Sequence, residues 1–173
     1  MAQQAIANGP TEGRLVGIAR RDQRRAPMEE IACGDITVDG GLAGDHKGPK
    51  FPKRRITIMT CEDWRDALDA LAANAAPVDL PWTVRRANLL VQGVRLPRGS
   101  GGLVKVGPVV LEVTFPALPC RRMDEAYAGL RKALHPDWRG GVTCAVRQGG
   151  HIRINDRVEI LSTPPEPDRR LPG

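Results

Sequence analysis

Along this chain apolar and polar residues change places in short runs, and most of the runs carry the two-residue period of a strand. Residues 14–20 read as a first strand, with Leu15, Val16 and Ile18 as apolar positions. Residues 28–38 form a second, irregular strand region. A glycine-rich loop follows at 40–46, and then a lysine- and proline-rich stretch at 47–53 that reads as a mobile loop. The β-branched run at 55–59 predicts a strand, and another is expected at 87–91, closed by Gly93. Residues 103–106 and 109–114 predict a hairpin around Gly107 and Pro108. The last strands fall at 142–146 and 157–161, with a turn at Gly149 and Gly150.

Two stretches repeat at the helical period instead. Trp64, Ala67, Leu68, Leu71 and Ala72 predict a helix over about 61–73, with Thr60 three residues before Asp63 as an imperfect capping box and a break at 74–77. Met123, Ala126, Tyr127, Leu130 and Leu134 fit one face of a helix that starts at Cys120. Many short strands with two or three short helices predict a mainly β fold. A closed or nearly closed β-barrel is the natural way to hide so many strand edges. The chain divides into a flexible segment at 1–13, one domain at 14–161 and a proline-rich tail at 162–173.

Composition narrows the function. The 173 residues allow one domain with a sizeable core, and with aromatics at only 3% that core rests on Val, Ile, Leu and Ala. A formal charge of +6 suits an anionic partner or a solvated positive surface. The same scarcity of aromatics argues against single-strand binding, which needs stacking platforms, so nucleic acid is not the expected partner. No run approaches the ~18 apolar residues of a membrane span, and the first ten residues lack the pattern of a secretory signal. The cytoplasm is the expected location. The four cysteines, Cys33, Cys61, Cys120 and Cys144, show neither C-x-x-C pairing nor zinc-like spacing and should be free thiols there.

Cys120 stands apart from the other three. It ends the apolar run 109–119, opens a helical pattern, and is followed by Arg121 and Arg122. A thiol at a helix start beside cations has reason to ionise, which makes it a sulfur nucleophile or a soft-metal ligand; the alternative is a buried cysteine acting as a small hydrophobe. Cys61 also opens a helix, but Glu62 and Asp63 follow it, and negative neighbours raise a thiol's pKa. Cys144 lies in an apolar strand and reads as structural.

Seven fragments, in order, resemble the MOSC domain, the molybdenum-cofactor sulfurase C-terminal domain. They are Gly41-Leu42-Ala43-Gly44-Asp45-His46, Arg55-Ile56-Thr57, Arg86-Ala87-Asn88-Leu89-Leu90-Val91, Leu111-Glu112-Val113-Thr114, Pro119-Cys120, Arg139-Gly140-Gly141-Val142 and the stretch from Gly149 to Val158. The chain is most similar to small stand-alone bacterial members, and it departs from the longer ones at Ala87, where many carry a glutamate.

The resemblance implies a β-barrel with one functional cysteine, matched by Cys120 as catalytic thiolate, persulfide carrier or molybdenum ligand. It implies the molybdenum cofactor, or another sulfur-bearing anion, as ligand, and for some members a two-electron reduction of N-hydroxylated compounds. An external reductase or an acceptor enzyme is then the expected partner; the alternative is a non-catalytic carrier of sulfur or cofactor. Pyridoxal phosphate is not expected in this chain. Arg55, Arg86 and Arg139, each bordering a strand, are expected to converge on the cofactor's phosphate, with Arg121 and Arg122 adding charge if they turn inward. Strand alternation through Arg85 and Arg86 lets only one of them face the site, and Arg86 is the expected one. Asn88 shares its face and would read the pterin or fix a loop. Gly140 and Gly141 would admit a ligand to the backbone or make an ordinary turn, and Asp45 and His46 would move a proton, orient the ligand or hold the glycine loop.

Overall fold

The computed structural model describes residues 9–73 and 76–166. The expected helix break at 74–77 and the tail at 162–173 therefore lie partly outside the described residues, as does most of the segment 1–13.

Among the described residues the β-branched and aliphatic runs form eleven strands, and seven of them close into a barrel. The ring follows the order β11 (Arg157–Ser162), β7 (Leu103–Val106), β8 (Val109–Pro116), β9 (Val142–Gln148), β5 (Ile56–Thr60), β6 (Leu89–Gln92) and β1 (Glu12–Arg20), and β1 pairs back onto β11. β5 and β6 are parallel, and the other paired strands are antiparallel. β1 begins at Glu12, two residues before the predicted start, because Glu12, Gly13 and Arg14 are the residues that pair with β11 and close the ring. Closure removes the free edges that so many short strands would otherwise present.

The irregular region at 28–38 resolves into two strands. β2 (Glu29–Ile31) extends the barrel sheet beyond β1, whereas β3 (Cys33–Thr37) joins β4 (Gly41–Leu42) and β10 (Gly150–Arg153) in a small second sheet. Gly150 is thus the first residue of a strand, not only part of a turn. Neither β4 nor β10 was predicted: two residues carry no period, and the alternation in β10 is broken by its polar ends.

Thr60 ends β5 and caps α1 (Cys61–Leu71), its Oγ1 accepting from the Asp63 N–H at 3.0 Å. The helix expected at 120–134 is instead two pieces, α2 (Arg121–Ala126) and α3 (Leu130–Leu134). Tyr127 turns extended (φ −157°, ψ 123°) and Gly129 takes a left-handed φ of 89°, so the chain bends where periodicity alone predicted continuity. Bending leaves Tyr127 partly exposed while Met123, Leu130 and Leu134 stay buried. Two apolar layers result. Leu15, Ile58, Leu89, Val104 and Leu111 are among those that fill the barrel. Met59, Trp64, Ala67, Met123 and Leu130 join the helices to its outer wall.

Candidate functional site

Cys120 sits at the N-cap of α2, after β8 has ended at Pro116, and its side chain is exposed. α2 has only six residues, too short for a helix dipole of consequence, so the surroundings of the thiol are decided by side chains. The thiol opens onto a cleft of about 370 Å³ lined by Arg21, Arg24, Lys47, Arg54, Arg85, Arg86 and Arg122, with Thr57 and Thr143 as polar groups. Every charged residue in that lining is a cation.

Four separate pieces of chain supply these cations. Arg21 and Arg24 follow β1, Lys47 and Arg54 come from the loop ahead of β5, Arg85 and Arg86 from a short 3-10 turn (Trp82–Arg85), and Arg122 from α2. Arg85 is the best fixed of them. Its Nη2 donates to the Ala117 carbonyl at 2.7 Å and its Nε to the Gly140 carbonyl at 3.0 Å, so one guanidinium staples the loop that carries Cys120 to the turn before β9. Burial lowers Arg85 to about 10, the charge on Cys120 opposes that shift, and the group is a cation at neutral pH.

The cations crowd one another. Arg21 is lowered by burial first, with Arg122 adding to the effect while Asp45 and Cys120 oppose it. Arg86 is lowered by burial and then by Arg21 and Arg122, and again Cys120 and Asp45 oppose. The Nε of Arg86 is buried with no hydrogen-bond partner among the described residues. Negative charge placed in the cleft therefore relieves repulsion that the protein alone leaves in place.

The expected site residues divide into those that reach the cleft and those that build it. Cys120 and Arg86 line it. Strand alternation does not apply at 85–86: residues 82–85 form the 3-10 turn and Arg86 takes a left-handed φ of 65°, so both arginines face the cleft and Arg85 is the more deeply set. Arg55 and Arg139 do not converge there. Arg55 donates to the Gly48 carbonyl at 2.6 Å and ties down the glycine loop, and Arg139 donates to the Ala133 carbonyl at 3.1 Å. Arg121 points away, with its side chain 83% exposed near Glu125, and lines a neighbouring cleft of about 500 Å³ that shares Arg86 and Arg122 with the first.

Asn88 is buried as a clip between strands. Its Oδ1 accepts from the Thr57 N–H at 3.0 Å and its Nδ2 donates to the Ala19 carbonyl at 3.3 Å, which sets β5 against β1 beneath the cleft. Gly140 and Gly141 serve close backbone packing: a Cβ on Gly140 would lie 2.3 Å from the Ala117 carbonyl oxygen, and one on Gly141 2.0 Å from that of Ile58. Asp45, only 5% exposed, accepts from the Arg21 N–H at 3.2 Å through Oδ1, and its Oδ2 has no hydrogen-bond partner among the described residues. His46 lies with Nε2 3.0 Å from Lys50 Nζ.

Arg21, Arg24, Lys47 and Arg54 were not expected at the site, and Arg85 was set aside in favour of Arg86. The cation-rich run from Arg20 to Arg25, at the end of a strand, was the available signal for Arg21 and Arg24. The loop at 47–53, expected to be mobile, is tied down by Arg55 on Gly48 and by Lys47, whose Nζ donates to Thr57 Oγ1 at 2.9 Å. Of the other thiols, Cys61 is pushed up by burial first and Glu62 second, and Cys144 is pushed far up by full burial.

Fold and site together define a small β-barrel protein that opens a cysteine into a cation-lined cleft at one end. A family model described as the MOSC domain matches residues 46–159, and the chain belongs to that family. MOSC domains as a class are associated with the molybdenum cofactor and with sulfur. No curated protein matches the chain. Among solved structures, the YuaD protein from Bacillus subtilis superposes with a TM-score of 0.69 at 19% identity, covering 88% of this chain and 97% of that one. YiiM from Escherichia coli gives 0.63 at 16% identity over 88% of this chain and 72% of its own. YiiM from Geobacillus stearothermophilus gives 0.66 at 15% over 87% and 75%. At such identities the likeness is one of fold. No helix among the described residues is long and apolar enough to cross a membrane.

Proposed function

We propose that this MOSC protein binds an anionic, sulfur-bearing ligand, the molybdenum cofactor or a relative of it, and handles sulfur or metal through Cys120. The observation that carries the reading is an exposed thiol in a cleft whose charged lining residues are all cations. The donor set suits the cofactor: a soft thiolate for molybdenum, and planar guanidiniums on Arg86, Arg122 and Arg54 for a phosphate. Bound there, the cofactor would supply two-electron redox chemistry of the kind that reduces N-hydroxylated compounds. The protein's own part is to hold the anion, to fix the loop of Cys120 through Arg85, and to keep carboxylates out of the lining.

In the sulfur-handling form of the reaction, the Cys120 thiolate attacks the outer sulfur of a donor persulfide. The new S–S bond forms on Cys120, the donor's S–S bond breaks, and the donor sulfur leaves with the electron pair as a thiolate. A reducing cytoplasm keeps Cys120 free for that attack. One observation favours the carrier alternative, delivery to a partner enzyme: Leu118, two residues before Cys120 and on the rim of the cleft, is 71% exposed, and Phe115 nearby is also exposed. Such apolar residues beside the reactive group suit protein docking.

Intact-mass measurement of gently purified protein tests the reading. The expected result is a fraction heavier by one sulfur atom, or carrying cofactor, that is lost on reduction or cofactor release and never forms in Cys120→Ala protein of unchanged circular dichroism. Equal loading of that variant overturns the role of Cys120. Turnover of N-hydroxylated bases by loaded protein with a chemical reductant alone excludes the carrier-only alternative.

A further inference from the structure

The glycine loop carries a second reactive group into the Cys120 cleft. Lys47 lines the cleft, its Nζ donating one hydrogen bond to Thr57 Oγ1 at 2.9 Å. An ammonium has three donors, so the remaining two are available to a ligand. The charged groups around it are uneven: Arg21, Arg54 and Arg85 press on it as cations, and Asp45 is the carboxylate that opposes them. Cys144, on β9, also senses Lys47, but full burial holds that thiol neutral. Asp45 is itself buried, anchored through the Arg21 N–H, with its second oxygen unpartnered among the described residues.

We propose that Lys47 is the residue through which this cleft couples anion binding to proton uptake, with Asp45 as the positioning residue that holds its charge. This rests on reading the cleft as an anion site. Of the cations there, the arginines stay charged throughout the ordinary pH range, so Lys47 alone can switch its grip on and off. Burial is the leading cause that lowers Lys47 from its ordinary 10.5 to about 8; Asp45 opposes, and Arg85, Arg21 and Arg54 add to the lowering. A bound anion favours the protonated form. Affinity is therefore full below about pH 8 and falls as pH rises through that value, and binding near pH 8 draws a proton from solution.

The test uses inorganic sulfate as probe and titration calorimetry at constant ionic strength, in Cys120→Ser protein so that the thiol's own ionisation does not enter. Sulfate should bind about tenfold more weakly at pH 9 than at pH 7, with uptake of about half a proton at pH 8, read from buffers of different ionisation enthalpy. Lys47→Arg should bind sulfate with nearly the same affinity at both pH values. Lys47→Met, which needs no new polar contact, should bind at pH 7 as weakly as the parent binds at pH 9. Asp45→Asn should move the inflection to lower pH, a shift that a purely structural role would not produce. Persistence of the tenfold ratio in Lys47→Arg or Lys47→Met overturns the proposal while leaving the anion site standing. Failure of sulfate to bind the parent at any pH overturns both.

Discussion

Ile56 and Thr57 are neighbours on β5 and serve opposite chemistry. Ile56, with Ile58, is fully buried in the aliphatic filling of the barrel, while Thr57 turns outward beneath the cation cleft and takes a hydrogen bond from Lys47. The interior is stabilised by removing apolar area from water, a non-directional gain that rises with each methylene. In the cleft, repulsion among cations opposes compactness, and it is tolerated because Arg85 is fixed by two carbonyls and Asp45 answers part of the charge. One region of the molecule gains from compactness itself; in the other, compactness is opposed by like charges, held in check by backbone carbonyls and one carboxylate.

The sharpest break comes from the interior. Ile58→Ala should lower unfolding stability by ~2–5 kcal/mol, because the closed barrel cannot collapse onto the lost volume, and a urea midpoint reads it. Next is the seam between the regions. Asn88→Ala leaves the buried Thr57 N–H without its acceptor and should cost ~1–3 kcal/mol, with amide hydrogen exchange accelerating at Thr57 and its neighbours.

The cleft should respond in the opposite direction. Lys47 is lowered to about 8 in the folded chain from 10.5, so its burial as a cation opposes folding below about pH 8, and that penalty fades between pH 8 and the ordinary lysine range. Lys47→Met should therefore stabilise the protein at pH 7 by on the order of 1–2 kcal/mol, and by less at pH 10, even as it weakens anion binding. Paired melting curves at the two pH values check the sign. The smallest effect belongs to the surface. Arg157 pairs with Glu12 across the strands that close the barrel and with Glu159 on its own strand, all at least partly exposed, and Arg157→Ala should change stability by less than ~1 kcal/mol, with salt removing most of it.

How much of this could be read before the structure was seen differs between the same two regions. The strands at 103–106 and 109–114 follow the two-residue period closely, because the ring buries one face of each more deeply than the other, whereas β5 is buried along its whole length and was legible from its β-branched run instead. The helix after Cys120 misled, because Met123, Leu130 and Leu134 keep a common buried side across a bend at Gly129 that periodicity does not register. β10 was missed since its register is imposed by pairing with β3, whose residues stand over a hundred positions earlier. In the cleft, the position of Cys120 was legible from the apolar run that ends before it and the helical pattern that follows.

Local spacing alone was enough to specify many short strands, a thiol at a helix start and a surplus of positive charge, because each of these follows from neighbours in the chain. Which cations meet the thiol was decided only when the ring closed. Arg55, Arg86 and Arg139 look alike on paper, and all three hold a backbone carbonyl, yet Arg86 alone of them lines the cleft, while Arg85 and Lys47 enter it from a tight turn and a loop. Convergence of that kind depends on distances between segments remote in sequence, and those distances exist only in the folded chain.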